Sequence, residues 1–175
     1  MKTIARGFTI IELMIGLVVI SILAFVGLPE FSIMMANTKV RTAAEAITNG
    51  LQTARGEAVQ RNGTVQFILG AQSSYTVVVV STGEVLRSRP ASEGSSSAAV
   101  AVTPPTTSTV TFNSFGRVVA NPDGTASLTQ VDVTSNTNVN VASKTRSMRV
   151  IVANTVRMCD PQVAVKVAVD PRSCI

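Results

Sequence analysis

The chain begins with an apolar segment that is long enough to span a lipid bilayer. Between Phe8 and Leu28 there are 21 residues, and Glu12 is the only charged one. A helix rises about 1.5 Å per residue, so a segment of this length spans about 30 Å, the thickness of a bilayer core. We therefore predict a transmembrane helix over residues 8–28. A carboxylate at this depth is costly unless a partner neutralises it, which makes Glu12 a candidate functional residue.

Beyond this segment the pattern becomes that of an amphipathic helix. Apolar residues recur at steps of three and four positions and form one stripe. The stripe consists of Val40, Ala43, Ala44, Ile47, Leu51, Ala54 and Ala58. Pro29 is expected to kink the helix without ending it, and Asn62-Gly63 is a stop signal. We predict that residues 29–61 continue the helix and that a sheet covers the stripe.

From residue 62 onwards the pattern is that of short strands rich in valine. Strands are predicted at Thr64–Leu69, Ser74–Val80, Glu84–Arg87, Val110–Phe112, Arg117–Val119, Ser127–Val133 and Ser147–Met158. Residues 90–108, rich in Ser, Ala, Thr and Pro, are predicted to form a loop, and residues 134–143 a turn region. A helix followed by antiparallel strands gives an α+β fold with a β-rich globular domain over residues 62–175.

The seven residues Met1–Gly7, with Lys2 and Arg6, allow three interpretations. A secretory signal peptide fits the basic start, but no small-residue cleavage site follows the apolar run. A plain signal anchor with a cytoplasmic N-terminus fits the length and the charge bias, but leaves Glu12 unexplained. A leader cut after Gly7 would expose an amine at Phe8, and the amine of a neighbouring copy could neutralise Glu12.

The composition argues against an enzyme. The chain has no histidine, which excludes Ser–His–Asp and Cys–His arrangements, and its ten acidic residues are scattered. The glycines are isolated turn residues and form no phosphate-binding loop. We therefore expect no catalytic residue, no metal site and no cofactor. The two cysteines, Cys159 and Cys174, favour a disulfide that closes a C-terminal loop of an exported domain.

The run Gly7–Leu13 (G-F-T-I-I-E-L) resembles the prepilin-type signal of type IV pilins and type II secretion pseudopilins. The resemblance implies that a prepilin peptidase cuts between Gly7 and Phe8 and that the new N-terminus at Phe8 is methylated. It also implies that Glu12 pairs with the Phe8 amine of a neighbouring subunit and so sets the register of a filament.

Two further stretches are similar to the GspH/FimT branch of this family. Phe112–Val118 (F-N-S-F-G-R-V) resembles its turn before a strand, and Met158–Cys174 resembles the ending of FimT/FimU-type minor pilins. The implied fold is type IV pilin-like, with a long N-terminal helix on an antiparallel sheet. The implied protein is a minor pilin that helps to prime assembly of a type IV pilus, near its tip.

The resemblance also implies partners and a location. The partners are other minor and major pilins, the prepilin peptidase and the inner-membrane assembly platform. The location is the bacterial inner membrane, crossed once with the N-terminus cytoplasmic, and then a periplasm-spanning or extracellular pilus. A GspH-like pseudopilin of type II secretion is the first alternative.

A DNA-binding minor pilin for uptake in natural transformation is the second alternative. The C-terminal region carries six basic residues that could contact phosphates. They are Lys144, Arg146, Arg149, Arg157, Lys166 and Arg172. The competing interpretation is a solvated strand face, since exposed Lys and Arg are ordinary surface residues. The net charge of +5, which falls to +3 without Lys2 and Arg6, is a mild excess.

Overall fold

A computed structural model describes residues 8–93, 98–136, 145–153, 155–163 and 172–174. The predicted leader Met1–Gly7 lies outside these ranges, and so does Gly7 of the predicted cleavage site. Lys144, Lys166 and residues 137–143 of the predicted turn region also lie outside them.

One helix, α1, runs without interruption from Ile10 to Gln60 and continues through Pro29, as predicted. The side chain of Thr9 caps its start, accepting a hydrogen bond from the backbone N–H of Glu12 at 3.3 Å. At its end, Asn62 adopts a positive φ of 48°. The N–H of Gly63 donates to the carbonyl of Ala58 at 3.0 Å, which closes the last turn.

The described residues form two antiparallel sheets. The strands are β1 Val65–Leu69, β2 Tyr75–Val79, β3 Val85–Arg89, β4 Ala98–Thr103, β5 Thr109–Phe112, β6 Val118–Val119, β7 Gln130–Ser135, β8 Met148–Val152 and β9 Val156–Cys159. The first sheet has the order β3-β2-β1-β5-β6, and the second has the order β4-β7-β8-β9. The α+β class, with one long N-terminal helix and antiparallel strands, is therefore confirmed.

Two predictions of strands were wrong. Residues 98–103, predicted as part of a loop, form β4, which pairs with β7 from Ala98↔Ser135 to Thr103↔Gln130. Alanine has a low strand propensity, so only the distant pairing partner makes this segment a strand. The single strand predicted at Ser147–Met158 is instead the hairpin of β8 and β9, in which Val152 lies opposite Val156.

The helix stripe and the inner faces of both sheets form one core. All seven residues of the predicted stripe are at most 1% exposed. Alternate residues of β1, such as Val65 and Phe67, and of β7, such as Val131 and Val133, are fully buried with them. The prediction that a sheet covers the stripe is therefore confirmed, although two sheets pack against it instead of one.

Gly50 lets the helix approach the first sheet closely. A Cβ atom at this position would lie 2.7 Å from Cε2 of Phe67 and 2.8 Å from Cε2 of Tyr75. These two rings stack with their centroids 5.3 Å apart, so neither can move without disturbing the other. The glycine is therefore required by packing and not by its backbone conformation.

The disulfide between Cys159 and Cys174, with a Cα–Cα distance of 5.1 Å, confirms the predicted pair. It holds the C-terminal end of the chain beside β9. There the N–H of Asp160 donates to the carbonyl of Arg172 at 2.7 Å. The disulfide and this backbone hydrogen bond tie residues 172–174 to the end of β9.

We predict that Gly50→Ala lowers the free energy of unfolding by about 1–2 kcal/mol, because the added methyl group overpacks the Phe67–Tyr75 pair. The measurement is urea denaturation of the full chain in detergent. Gly56→Ala is the matched control: it lies on the same helix with nothing within 4 Å of its built Cβ. That control should raise stability by about 0.5–1 kcal/mol. Equal stabilisation by both changes would contradict the close approach at Gly50.

We predict that Cys159→Ser combined with Cys174→Ser lowers the free energy of unfolding by about 3 kcal/mol, because the bond closes a loop with a sequence separation of 15 residues. Urea denaturation in detergent measures this loss. Membrane insertion, scored by resistance to alkaline carbonate extraction, should not change, since neither cysteine belongs to the predicted membrane-spanning residues 8–28. An unchanged denaturation midpoint would refute a structural role for the bond.

Candidate functional site

The first half of α1 leaves the domain with its apolar side chains uncovered. Between Phe8 and Met35, seventeen large hydrophobic side chains are 45–85% exposed, and burial against the domain starts at Ala36. None of the most apolar 18-residue window is buried, and the helix is long and apolar enough to cross a membrane. We call residues 8–35 the exposed apolar segment. Such a surface is unstable in water and needs lipid or other helices around it.

Glu12 lies in the first turn of this segment. The Thr9 cap fixes the backbone there: its hydroxyl accepts from the N–H of Glu12, and its carbonyl accepts from the N–H of Leu13 at 3.2 Å. The Glu12 carboxylate itself has no hydrogen-bond or ion-pair partner among the described residues. It is exposed and can therefore meet a cation supplied by another molecule.

Phe8 precedes the cap and lies outside the helix, with 76% of its surface exposed. An amine at this position would sit at the N-terminal end of α1, four residues before Glu12. The positive end of the helix dipole disfavours a cation there and favours an acid in the first turn. A free amine at Phe8 would therefore gain more from a carboxylate partner than an amine elsewhere on the surface.

Thr9 is the N-cap of α1, a role that the sequence analysis did not assign to it. The spacing Thr9-x-x-Glu12, with an acid three residues after a threonine, is typical of helix starts and could have indicated this cap. The cap fixes the residue at which the helix begins, with Glu12 in the first turn.

The predicted basic set is partly neutralised within the domain. Arg146 makes an ion pair with Asp160 at 3.0 Å, and Arg149 makes one with Asp132 at 2.6 Å. Arg149 and Arg157 lie on the outer face of the second sheet, since they alternate along β8 and β9 with Val150 and Met158, which face the core. The sequence analysis did not pair these arginines with Asp160 and Asp132. Asp132 lies on another strand, β7, and Asp160 follows the β8–β9 hairpin.

Arg172 and Arg146 line a groove of about 750 Å³ between α1 and the C-terminal region. The backbone N–H of Arg146 also donates to Oδ1 of Asn37 on the helix at 2.8 Å, which ties this arginine to the helix. Lys144 and Lys166 lie outside the described residues. DNA binding by the six residues stays a prediction, and the ion pairs reduce the charge that two of them can offer to phosphates.

Within the described residues, no group of three His, Cys, Asp or Glu side chains could hold a metal ion. The described residues offer an apolar surface, the exposed carboxylate of Glu12 near the start of that surface, and a folded domain that carries ion pairs.

Two sequence models of families match the chain. The one described as "Type II transport protein GspH" matches residues 43–169. The one described as "Prokaryotic N-terminal methylation motif" matches residues 3–28. No curated protein matches the chain in sequence.

Among solved structures, that of a minor pilin confirms the predicted pilin-like fold. The type IV minor pilin FimU of Pseudomonas aeruginosa has a TM-score of 0.51 and 17% identity, over 71% of this chain and 94% of that one. The minor pseudopilin EpsH of the Vibrio cholerae type 2 secretion system has a TM-score of 0.47 and 10% identity, over 71% and 98%. Since the GspH model covers well over half of the chain, the chain belongs to the GspH family of pilin-like structural proteins, and it is not an enzyme.

Proposed function

We propose that the chain is a minor pilin of a type IV pilus, a structural subunit that helps to prime assembly near the pilus tip. The observation that carries the proposal is the exposed apolar segment with Glu12, whose carboxylate has no partner among the described residues. This segment is covered by lipid before assembly and by the helices of neighbouring subunits afterwards.

Before assembly the protein crosses the inner membrane once. Lys2 and Arg6 favour a cytoplasmic N-terminus, because basic residues next to a spanning helix stay on the cytoplasmic side. The domain then lies on the outer side of this membrane. The Cys159–Cys174 disulfide supports that side, because disulfides persist in the oxidising periplasm and outside the cell.

Processing then creates the positive charge with which Glu12 pairs. A prepilin peptidase cuts between Gly7 and Phe8, and the new Phe8 amine is methylated; the match to the N-terminal methylation motif supports this step. In the filament, the Phe8 amine of one subunit pairs with the Glu12 carboxylate of its neighbour. A wrong axial stagger leaves both charges unpaired in an apolar environment, at a cost of about 3–5 kcal/mol. The pair therefore sets the register.

The proposed partners follow from this role. They are the other minor and major pilins, the prepilin peptidase and the inner-membrane assembly platform. The fold shared with FimU, a type IV minor pilin, supports a pilus as the assembly. The C-terminal disulfide loop, which resembles that of FimT/FimU-type minor pilins, supports the same assignment.

A GspH-like pseudopilin of a type II secretion system is the second candidate. The observation that favours it is the match to the family described as a type II transport protein. In that role the same helix and the same Glu12 pairing would build a short filament that spans the periplasm. Uptake of DNA through the basic C-terminal set is the remaining alternative.

We predict that Glu12→Gln reduces the amount of this protein in sheared fibres at least tenfold, because an amine left unpaired costs about 3–5 kcal/mol. Immunoblots of the fibre and membrane fractions measure the reduction, and the membrane fraction should keep the variant. Glu30→Gln is the matched control. It removes the next acid along α1, which lies beyond the predicted membrane-spanning residues 8–28, and should leave incorporation unchanged.

The wild-type protein from the same fibres should begin at a methylated Phe8 when its N-terminal peptide is analysed by mass spectrometry. Undiminished incorporation of Glu12→Gln would refute the register mechanism. A mature N-terminus at any other residue would refute it as well.

We predict that deleting the gene lowers the number of surface pili at least tenfold and leaves type II secretion intact. Electron microscopy counts the pili, and the amount of exported enzyme measures secretion. A loss of secretion with normal pili would instead support the pseudopilin candidate. A loss of transformation with normal pili and secretion would support DNA uptake.

A further inference from the structure

Phe115 is the most exposed large hydrophobic residue of the folded domain. Its side chain is 81% exposed, compared with 57% for Val85 and 51% for Val59, the other exposed large hydrophobic residues described beyond Met35. It stands in the turn between β5 and β6. An aromatic side chain held in water at such a turn does not contribute to the core.

The turn that carries Phe115 is held rigidly. Oδ1 of Asn113 accepts hydrogen bonds from the backbone N–H groups of Phe115 and Arg117, both at 3.0 Å. The N–H of Gly116 donates to the carbonyl of Asn113 at 2.8 Å, and Gly116 has a φ of +68°. Because these bonds order the backbone already, a partner that contacts Phe115 pays little conformational entropy for the turn.

The turn lies against the helix and extends the apolar surface. A Cβ built on Gly116 would be 3.2 Å from Cγ2 of Val59 and 3.0 Å from Nε of Arg55. Val59 and Phe115, two of the three exposed large hydrophobic residues described beyond Met35, therefore lie near each other. We call Val59, Phe115 and the flanking Arg55 and Arg117 the Phe115 patch.

The patch carries positive charge that the described residues do not neutralise. The guanidinium groups of Arg55 and Arg117 have no ion-pair or hydrogen-bond partner among them, unlike that of Arg41, which pairs with Glu45. Aromatic residues and arginines are the types most enriched at the energetic centres of protein interfaces. The patch combines both types on a preformed turn.

We propose that the Phe115 patch docks onto another pilin-type subunit, whose surface offers an apolar pocket bordered by carboxylates. The proposal rests on the proposed function, since it assumes that the domain meets other pilins. A lipid surface is too far away, because Val59 lies 31 residues, or about 45 Å of helix, beyond Leu28. A second copy fits less well, since every copy presents the same two arginines on a chain of net positive charge.

The test places the photoreactive analogue p-benzoyl-phenylalanine at position 115 of the full chain in cells that make the filament. After irradiation, membranes of whole cells are solubilised and the adducts are identified by mass spectrometry. The analogue at position 85, an exposed hydrophobic position on edge strand β3, is the control for nonspecific capture.

The expected result is one adduct at position 115 with a different pilin-type subunit, attached at a site flanked by Asp or Glu. Arg117→Glu should reduce this adduct at least tenfold. Arg87→Glu, which reverses another exposed arginine without a described partner, should leave it unchanged. Without the analogue, Phe115→Ala should weaken co-purification of that subunit, Phe115→Tyr should preserve it, and neither should change the denaturation midpoint.

Absence of an adduct at position 115 above that at position 85 would overturn the proposal. So would an adduct with a second copy or with a protein that is not a pilin, or equal losses in Arg117→Glu and Arg87→Glu. The adduct is measured in membranes, whatever the fibre content. A failure here therefore counts against the docking surface, whereas incorporation of Glu12→Gln into fibres counts against the proposed function.

Discussion

The burial of one helical stripe between two sheets is the interaction on which the folded domain depends. Each sheet turns one apolar face inwards, and the buried residues of both faces belong to the same core as the helix stripe. The helix gains most of its stability from this packing, since propensity alone seldom holds a helix in water. The small residues of the stripe, with Gly50, keep the helix close enough for the aromatic pair of β1 and β2 to pack on it.

The same helix must also be stable in an apolar environment. Its first half, up to Met35, is exposed and apolar, and it continues into the packed half without a break. A rigid connection of this kind transmits the position of the domain to the apolar segment. In the proposed filament, a register fixed at Glu12 would therefore also fix where each domain stands relative to its neighbours. The Phe115 patch lies near the C-terminal end of the helix, where a neighbouring domain placed by this register could contact it.

The arginines illustrate how tertiary structure changes the meaning of a sequence feature. Six basic residues near the C-terminus suggest an electrostatic surface. The fold brings Asp132 beside Arg149 and Asp160 beside Arg146, so that two of them are paired. In contrast, Arg55 and Arg117 lie 62 positions apart in the sequence, and the β5–β6 turn brings both near Phe115.

The sequence alone determined the features that depend on local pattern. These are the helix with its apolar segment and stripe, most strands, the turns at Asn and Gly, and the cysteine pair. Each leaves a periodic or compositional signal within a few residues. Only the tertiary structure decided that residues 98–103 pair with β7, that residues 147–158 fold back as a hairpin, and that the strands divide into two sheets. Pairing between distant segments depends on which strand edges meet in the folded chain, and the local sequence pattern does not specify those pairs.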